Sequence, residues 1–264
     1  MTEHNHRESA GTAGEATTAV GEPRLEATDI DFSYGDVAVL GGVSASIDAA
    51  SVTALIGPNG SGKTTLLRTL AGLHDPTGGE IVYRGPPAAR RVGYLPQRPA
   101  FRPGFTVLET LTFYASLVGG DRADASARLE RVGLADADDR QVDALSGGMT
   151  RLVGIAQATI GDPPVVVLDE PASGLDPGMS KRVFEIASEL AETGTAVVLS
   201  SHDLELVDSE ADRILLLDGG EIVERGSPDS VRDRLDVASL RGAYEASIEG
   251  DLRRVRVQSQ GETS

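Results

Sequence analysis

The stretch GPNGSGKT, residues Gly57–Thr64, constrains the fold of this 264-residue chain more than any other feature. It follows the continuous apolar run VTALI and precedes a stretch with helical apolar spacing at Leu66, Leu67, Leu70 and Leu73. The pattern G-x-x-x-x-G-K-[ST] between a strand and a helix is typical of a phosphate-binding loop. Glycines let backbone N–H groups approach phosphate oxygens, and the helix N-terminus adds a partial positive charge. The sequence therefore predicts a nucleotide site built from strand, loop and helix.

Two side chains of this loop carry chemistry of their own. Lys63 offers a full positive charge to the terminal phosphates, and Thr64 offers a hydroxyl to Mg²⁺. A glycine-rich turn without a ligand is the alternative, which the strand–loop–helix context disfavours. The predicted nucleotide contacts in this stretch are Gly57, Pro58, Asn59, Gly60, Ser61, Gly62, Lys63, Thr64 and Thr65.

A second apolar run, VVVL, ends on two adjacent acids, Asp169 and Glu170, within LDEPASGLDP. Beside a nucleotide, an acid at the carboxyl end of a core strand is suited to hold Mg²⁺, and we assign this role to Asp169, through water. Glu170 is then the general base that polarises the attacking water. The alternative is that one of the acids only caps the end of the strand.

A third motif, LSGG, precedes an amphipathic helix and ends at Gly148. Two glycines and a serine hydroxyl at a helix N-terminus make a second anion site. Alone this motif is weak evidence, because the chain has 31 glycines. Its position between the phosphate loop and the acidic pair strengthens it.

Taken in order, the motifs resemble the nucleotide-binding subunit of an ATP-binding cassette (ABC) transporter over residues 25–235. GPNGSGKTT is similar to the Walker A loop, YLPQ to the Q-loop, LSGGM to the signature and VVVLDE to Walker B. SGLD is similar to the D-loop, LSSH to the switch-histidine segment and FSYGD to the segment with the adenine-stacking aromatic. The further residues that these matches identify are Tyr34, Gln97, Asp176 and His202.

The resemblance implies a head-to-tail dimer of two cassettes with two ATP molecules at the interface. Each ATP lies between the phosphate loop of one subunit and the signature of the other, so that Ser146, Gly147 and Gly148 contact ATP in trans. Tyr34 is expected to stack on adenine, and Asp176 to lie at the nucleotide. A plain sheet aromatic is the alternative for Tyr34.

The resemblance also assigns roles around the γ-phosphate. His202 is expected to contact it and to act with Glu170 in catalysis, although a histidine at a strand end is often a polar cap. Gln97 is expected to join Thr64 and Asp169 at Mg²⁺ and to link that site to the helical region. The implied cofactors are ATP and Mg²⁺. The implied partners are a second cassette, giving a homodimer, and an integral membrane permease whose coupling helices dock on the helical region.

The pattern of strands and helices predicts an α/β fold. We expect a RecA-like P-loop NTPase core with a parallel sheet, an N-terminal antiparallel β-subdomain and a helical subdomain at about residues 98–155. A hairpin should turn at 218–220, and Ser227 and Pro228 should begin a helix. We predict a disordered tail over 1–23, the ABC ATP-binding domain over 24–236 and a C-terminal extension over 237–264, in which RRVRVQ forms one short strand.

The net charge of −17 disfavours a nucleic-acid partner, which needs a basic face. Only Lys63 and Lys181 are lysines, and an acidic chain with so few lysines resembles halophile proteins, although a GC-rich genome is an alternative. The absence of cysteine excludes disulfides. The sequence has no signal peptide and no membrane span, so a partner must do the spanning if the protein works at a membrane. The resemblance implies a location at the cytoplasmic face of the membrane, attached through the permease and not inserted.

The resemblance implies an ATPase that drives transport. Met149 after the signature glycines, where many cassettes have Gln, resembles an exporter subgroup, and the stretch GYLPQRPAFRPGFTVLETLTFYASL resembles the copper-processing cassette that serves nitrous oxide reductase. The alternatives are an importer, a soluble cluster-assembly ATPase and a binding-only regulator. The presence of both Glu170 and His202 disfavours the regulator. The sequence does not identify the cargo.

Overall fold

The computed structural model describes residues 21–246. The strands are β1 (Pro23–Tyr34), β2 (Val37–Asp48), β3 (Ser51–Ile56), β4 (Gly78–Tyr83), β5 (Val92–Leu95), β6 (Val165–Leu168), β7 (Ala196–Ser200), β8 (Arg213–Asp218) and β9 (Glu221–Gly226). The helices are α1 (Lys63–Leu70), α2 (Val107–Ser116), α3 (Arg122–Arg131), α4 (Gly147–Thr159), α5 (Pro177–Glu192), α6 (Leu204–Glu210) and α7 (Pro228–Leu235). Residues 1–20 of the predicted tail 1–23 and the predicted RRVRVQ strand lie outside the described residues. Pro23, at the end of the predicted tail, is already the first residue of β1.

The N-terminal strands form the predicted antiparallel sheet, and their order in it is β2-β1-β4. Buried and exposed side chains alternate along β1, with Leu25 and Ala27 buried in its first half. The alternation then shifts by one residue, so that Ile30 and Phe32 are buried in its second half. The shift lies at a bulge where Asp29 adopts a left-handed φ of 49°. The bulge thus keeps both ends of the strand facing the core.

The main sheet has the order β5-β6-β7-β3-β8-β9 and is parallel except for its edge strand β9. Every residue of β3, β6 and β7 is buried, because helices cover one face and α1 covers the other together with the antiparallel sheet. The α1 residues Leu66, Leu67 and Leu70 pack on one face. The prediction that Leu73 continues this apolar stripe is wrong, since α1 ends at Leu70 and Leu73 is 56% exposed.

Three helices, α2, α3 and α4, follow β5 in the predicted helical region, and each has an N-terminal side-chain cap. Capping boxes begin α2 at Thr106 and α3 at Asp121, and the hydroxyl of Ser146 caps α4. Among residues 21–246, no helix is both long enough and apolar enough to cross a membrane.

The C-terminal half follows the predicted local signals. The β8–β9 hairpin turns at Gly219 and Gly220, both with positive φ, and Ser227 caps α7 with Pro228 at its start. Residues 240–246 are helical, which the sequence did not predict. Leu240 is 1% exposed and belongs to the core cluster that includes residues of α5, so the segment 240–246 packs on the cassette core. The boundary at 236 stays a prediction.

Candidate active site

The loop between β3 and α1 has a backbone that only glycine adopts easily. Gly57 and Gly62 have φ values of 152° and 103°. A Cβ atom on Gly57 would lie 2.0 Å from the carbonyl oxygen of Leu217, and one on Gly62 would lie 2.9 Å from Leu40 Cδ2. These glycines therefore let the loop pack closely against β8 and β2. Gly60 has open space on its Cβ side, where a ligand can approach.

Lys63 begins α1 and is buried beneath the loop, 6% exposed. Its Nζ donates hydrogen bonds to the carbonyl oxygens of Gly57, at 2.7 Å, and Pro58, at 2.8 Å. Burial lowers the pKa of Lys63, and the charges of Glu170 and Asp169 oppose part of that shift. Lys63 thus stabilises the loop through its two carbonyl oxygens and interacts electrostatically with Asp169 and Glu170.

Asp169 follows β6 and is fully buried. Its Oδ1 accepts hydrogen bonds from the hydroxyls of Ser200, at 3.0 Å, and Thr64, at 3.2 Å. Burial raises the pKa of Asp169, and these two hydrogen bonds counteract the shift only in part. Among the salt bridges of residues 21–246, none involves Asp169. A buried carboxylate of this kind is suited to bind a cation.

The residues around Asp169 fit Mg²⁺. No cluster of three or more His, Cys, Asp or Glu that could hold a metal ion occurs in the described part of the chain. Protein sites for Mg²⁺ that include substrate phosphates need only one or two carboxylates, with other oxygens completing the shell. The Thr64 hydroxyl lies 3.2 Å from the Asp169 carboxylate, beside the phosphate loop, so the two can share such an ion.

The main-chain N–H and both carboxylate oxygens of Glu170 have hydrogen-bond partners. Its N–H donates to Ser200 Oγ at 2.8 Å, and its Oε2 accepts from Gln97 Nε2 at 2.9 Å. Its Oε1 lies 2.8 Å from His202 Nε2. Its φ of 47° is left-handed, a strained state for glutamate. Burial favours a higher pKa for Glu170, but the hydrogen bonds from Gln97 and His202 and the charge of Lys63 outweigh it and leave the pKa lowered.

Ser200 is a site residue that sequence reasoning missed. Its hydroxyl accepts from the Glu170 N–H and donates to Asp169 Oδ1, so that one side chain orients both acids. It is fully buried at the end of β7. It stands two residues before His202, but its contact with both acids depends on β7 lying next to β6, which no short motif signals.

The other predicted nucleotide contacts are not brought to this centre within one chain. Ser146 caps α4 through the Met149 N–H, and Asp176 caps α5 through the Met179 N–H. Tyr34 is 50% exposed, and its hydroxyl lies 3.2 Å from His74 Nε2. Within residues 21–246, no hydrogen bond joins the side chains or backbone of 146–148 to the phosphate loop. The remaining loop residues are exposed at Asn59 and Gly60, partly buried at Pro58 and buried at Ser61 and Thr65.

A cavity of about 490 Å³ opens beside Glu170 and His202. The turn at 172–175 and Arg241 of the helical segment 240–246 also line it. A neighbouring cavity of about 230 Å³ is lined by Gly57, His202 and Tyr244, among others. The C-terminal segment is therefore part of the wall of the site, which sequence reasoning did not anticipate.

A sequence profile of the family described as ABC transporter matches residues 40–173, about half of the chain. The chain belongs to the ABC transporter family. Nod factor export ATP-binding protein I of Rhizobium etli is 33% identical to this cassette over 92% of this chain and 83% of the relative. The linearmycin resistance ATP-binding protein LnrL of Bacillus subtilis is 32% identical over 80% of this chain and 71% of the relative.

A solved structure of an ATP-binding subunit of an ABC transporter superposes on the cassette with a TM-score of 0.76. The two are 30% identical, and the match covers 85% of this chain and 99% of the other. These findings confirm the predicted family and the P-loop NTPase fold. The cassette is an ATP-binding and ATP-hydrolysing subunit of a transporter.

Proposed function

We propose that this cassette drives export through a separate integral membrane permease, as one of two identical cassettes at the cytoplasmic face of the membrane. The geometry of Glu170, held between Gln97 and His202 beside the phosphate loop, supports hydrolysis as its activity. The similarity to a protein named for Nod factor export supports the export direction over import. The permease, and not the cassette, is expected to select the cargo.

ATP binding begins at Lys63 in this proposal. Its ammonium group, now bonded to two loop carbonyls, turns to the phosphate oxygens, where opposite charge replaces neutral acceptors. The Thr64 hydroxyl and the Asp169 carboxylate would hold Mg²⁺, with Gln97 nearby through its contact to Glu170. When bound, Mg²⁺ supplies neutralisation of the phosphate charge.

Hydrolysis then requires a base and an orienting partner. Glu170 takes a proton from water as the water oxygen bonds to the γ-phosphorus and the bond from phosphorus to ADP breaks. Its lowered pKa keeps it ionised, and therefore able to accept that proton, at neutral pH. His202 holds the carboxylate, and we assign to it the contact with the γ-phosphate.

The signature residues are assigned to the second active site of the dimer. A Cβ on Gly147 would meet no atom within 4 Å, so the backbone there faces open space that a nucleotide of the partner cassette can fill. Tyr34 is half exposed and available to stack on adenine. Asp176, at the start of α5, is assigned to the same nucleotide interface.

We make two smaller proposals, one on the domain limits and one on adaptation to salt. We keep 24–236 as the ATP-binding domain, with the helical subdomain at about 98–155, preceded by the tail 1–23 and followed by the extension 237–264. The net charge of −17 supports adaptation to high salt and the absence of a nucleic-acid partner. Adaptation to salt is contradicted if the unfolding temperature does not rise with KCl concentration.

The permease partnership is tested by trapping the closed dimer. Tagged Glu170→Gln protein is expressed in its native host and purified from membranes with ATP and Mg²⁺, and the bound proteins are identified by mass spectrometry. We expect a membrane protein with several spans to be retained. Lys63→Ala, which should lose ATP, is the matched control and should retain less of it. Recovery of soluble partners alone would favour a soluble ABC ATPase.

A further inference from the structure

The helix α4 and the loop after β5 are joined closely. Arg151 Nη1 donates a hydrogen bond to the carbonyl oxygen of Gln97. One turn later, a Cβ on Gly154 would lie 2.4 Å from Leu95 Cδ1 and 3.2 Å from Pro99 Cβ. Only glycine lets the helix approach both residues that flank this loop. The loop that carries Gln97 must therefore follow any displacement of α4.

Gln97 is bound at its two ends by different parts of the cassette. The main-chain carbonyl oxygen of Gln97 accepts a hydrogen bond from Arg151. The side-chain Nε2 of Gln97 donates a hydrogen bond to Glu170 Oε2 at 2.9 Å. Arg151 is half-buried, and although burial lowers its pKa, a guanidinium group stays charged in proteins. Its hydrogen bond to a neutral carbonyl is thus charge-assisted and stronger than an ordinary one. A continuous path runs from α4 through Gln97 to the base.

The same helix begins at the signature. Ser146 caps α4, and Arg151 lies on the second turn of that helix. In the proposed dimer, this end of α4 meets the ATP of the other subunit. Contact with that ATP would therefore displace the helix to which Gln97 is attached.

We propose that Arg151 is a positioning residue for hydrolysis, which transmits displacement of the signature helix α4 to Gln97 and, through Gln97, to Glu170. The inference rests on the proposed role of Glu170 as general base. When the signature of one chain contacts the ATP of the partner cassette, the path would position Glu170 of that same chain beside the ATP that this chain binds itself. The path would couple the two hydrolysis sites of the dimer.

The test compares full-length wild-type protein with Arg151→Met, which keeps the aliphatic stem and removes the donor. We expect kcat to fall about tenfold, as for one lost positioning contact, while KM and ATP affinity change less than about twofold. Arg151→Lys should give an intermediate kcat.

Arg128→Met is the matched control, since Arg128 is also largely buried and joins α3 to Asp162 away from the acids. It should leave kcat unchanged. A double variant, Gln97→Ala with Arg151→Met, should be no slower than Gln97→Ala alone if the two act in one path.

A folded Arg151→Met protein with wild-type kcat would overturn the proposal. So would an equal loss in Arg128→Met, which would indicate a general structural effect. If Arg151→Met does not fold, Arg151→Lys decides, and wild-type values there count against the proposal. Glu170→Gln, measured alongside, separates the role of Glu170 from the role of Arg151. Wild-type turnover in Glu170→Gln would contradict the assignment of Glu170 as the base. An inactive Glu170→Gln together with a wild-type kcat in Arg151→Met would contradict only the role of Arg151.

Discussion

Asp169 and Glu170 are neighbours in the chain, yet their environments shift their pKa values in opposite directions. Burial dominates at Asp169 and raises its pKa, while hydrogen bonds and Lys63 outweigh burial at Glu170 and lower it. The first group is suited to hold a cation that restores its charge balance. The second is suited to remain an anion that accepts a proton.

Asp169→Asn should stabilise the cassette in the absence of Mg²⁺ and nucleotide while removing Mg²⁺-dependent hydrolysis. Because the pKa of Asp169 is raised on folding, the unfolded state ionises first, and wild-type protein loses stability as pH rises through that interval. The variant lacks this loss. Thermal unfolding should therefore show a higher unfolding temperature for the variant at pH 7, with the difference shrinking as pH falls toward 4.

Neutralisation of an exposed acid, Asp143→Asn, is the control for net charge and should leave the unfolding temperature nearly unchanged. An Asp169→Asn protein that is less stable than wild type at pH 7 would contradict the account of this carboxylate.

At the scale of single elements, local sequence signals predicted much of the structure. The glycines of the phosphate loop, the Ser227–Pro228 start of α7 and the Gly219–Gly220 turn are local features, and each is present in the structure. Ser200 was missed because its role depends on β7 lying beside β6, a contact between residues 31 apart. Such a contact is decided by strand order and not by any short motif.

The helical segment 240–246 was also not predicted, because it too depends on contacts between residues distant in sequence. Its apolar residues are too few for a helical pattern to stand out, but Leu240 and Ala243 are buried in the core cluster that also contains residues of α5 and α6. Its helix is therefore specified by tertiary packing more than by propensity.

Leu240→Ala should lower the free energy of unfolding by about 2 kcal/mol or more, as for other fully buried leucines. Denaturant unfolding of the full-length chain is the measurement. Leu73→Ala removes an exposed leucine and should change stability by less than about 0.5 kcal/mol. Equal effects of the two substitutions would indicate that residues 240–246 do not pack on the core in solution.

At the scale of the whole molecule, four strands of the main sheet converge on one centre. The phosphate loop leaves β3, the acids leave β6, His202 follows β7, and Gln97 follows β5. All four strands are parallel, so their carboxyl ends meet at one edge of the sheet. The signature and Asp176 cap helices elsewhere in the same chain, which fits a site completed by a second cassette.

The most direct test of the central claim is the rate of ATP hydrolysis by full-length Glu170→Gln protein. We predict that its kcat falls by about 100-fold or more, with ATP affinity retained, because the amide cannot accept the proton of the attacking water. Glu185→Gln on the exposed face of α5 is the matched control and should keep wild-type turnover. A Glu170→Gln protein with wild-type kcat would contradict the assignment of Glu170 as the base.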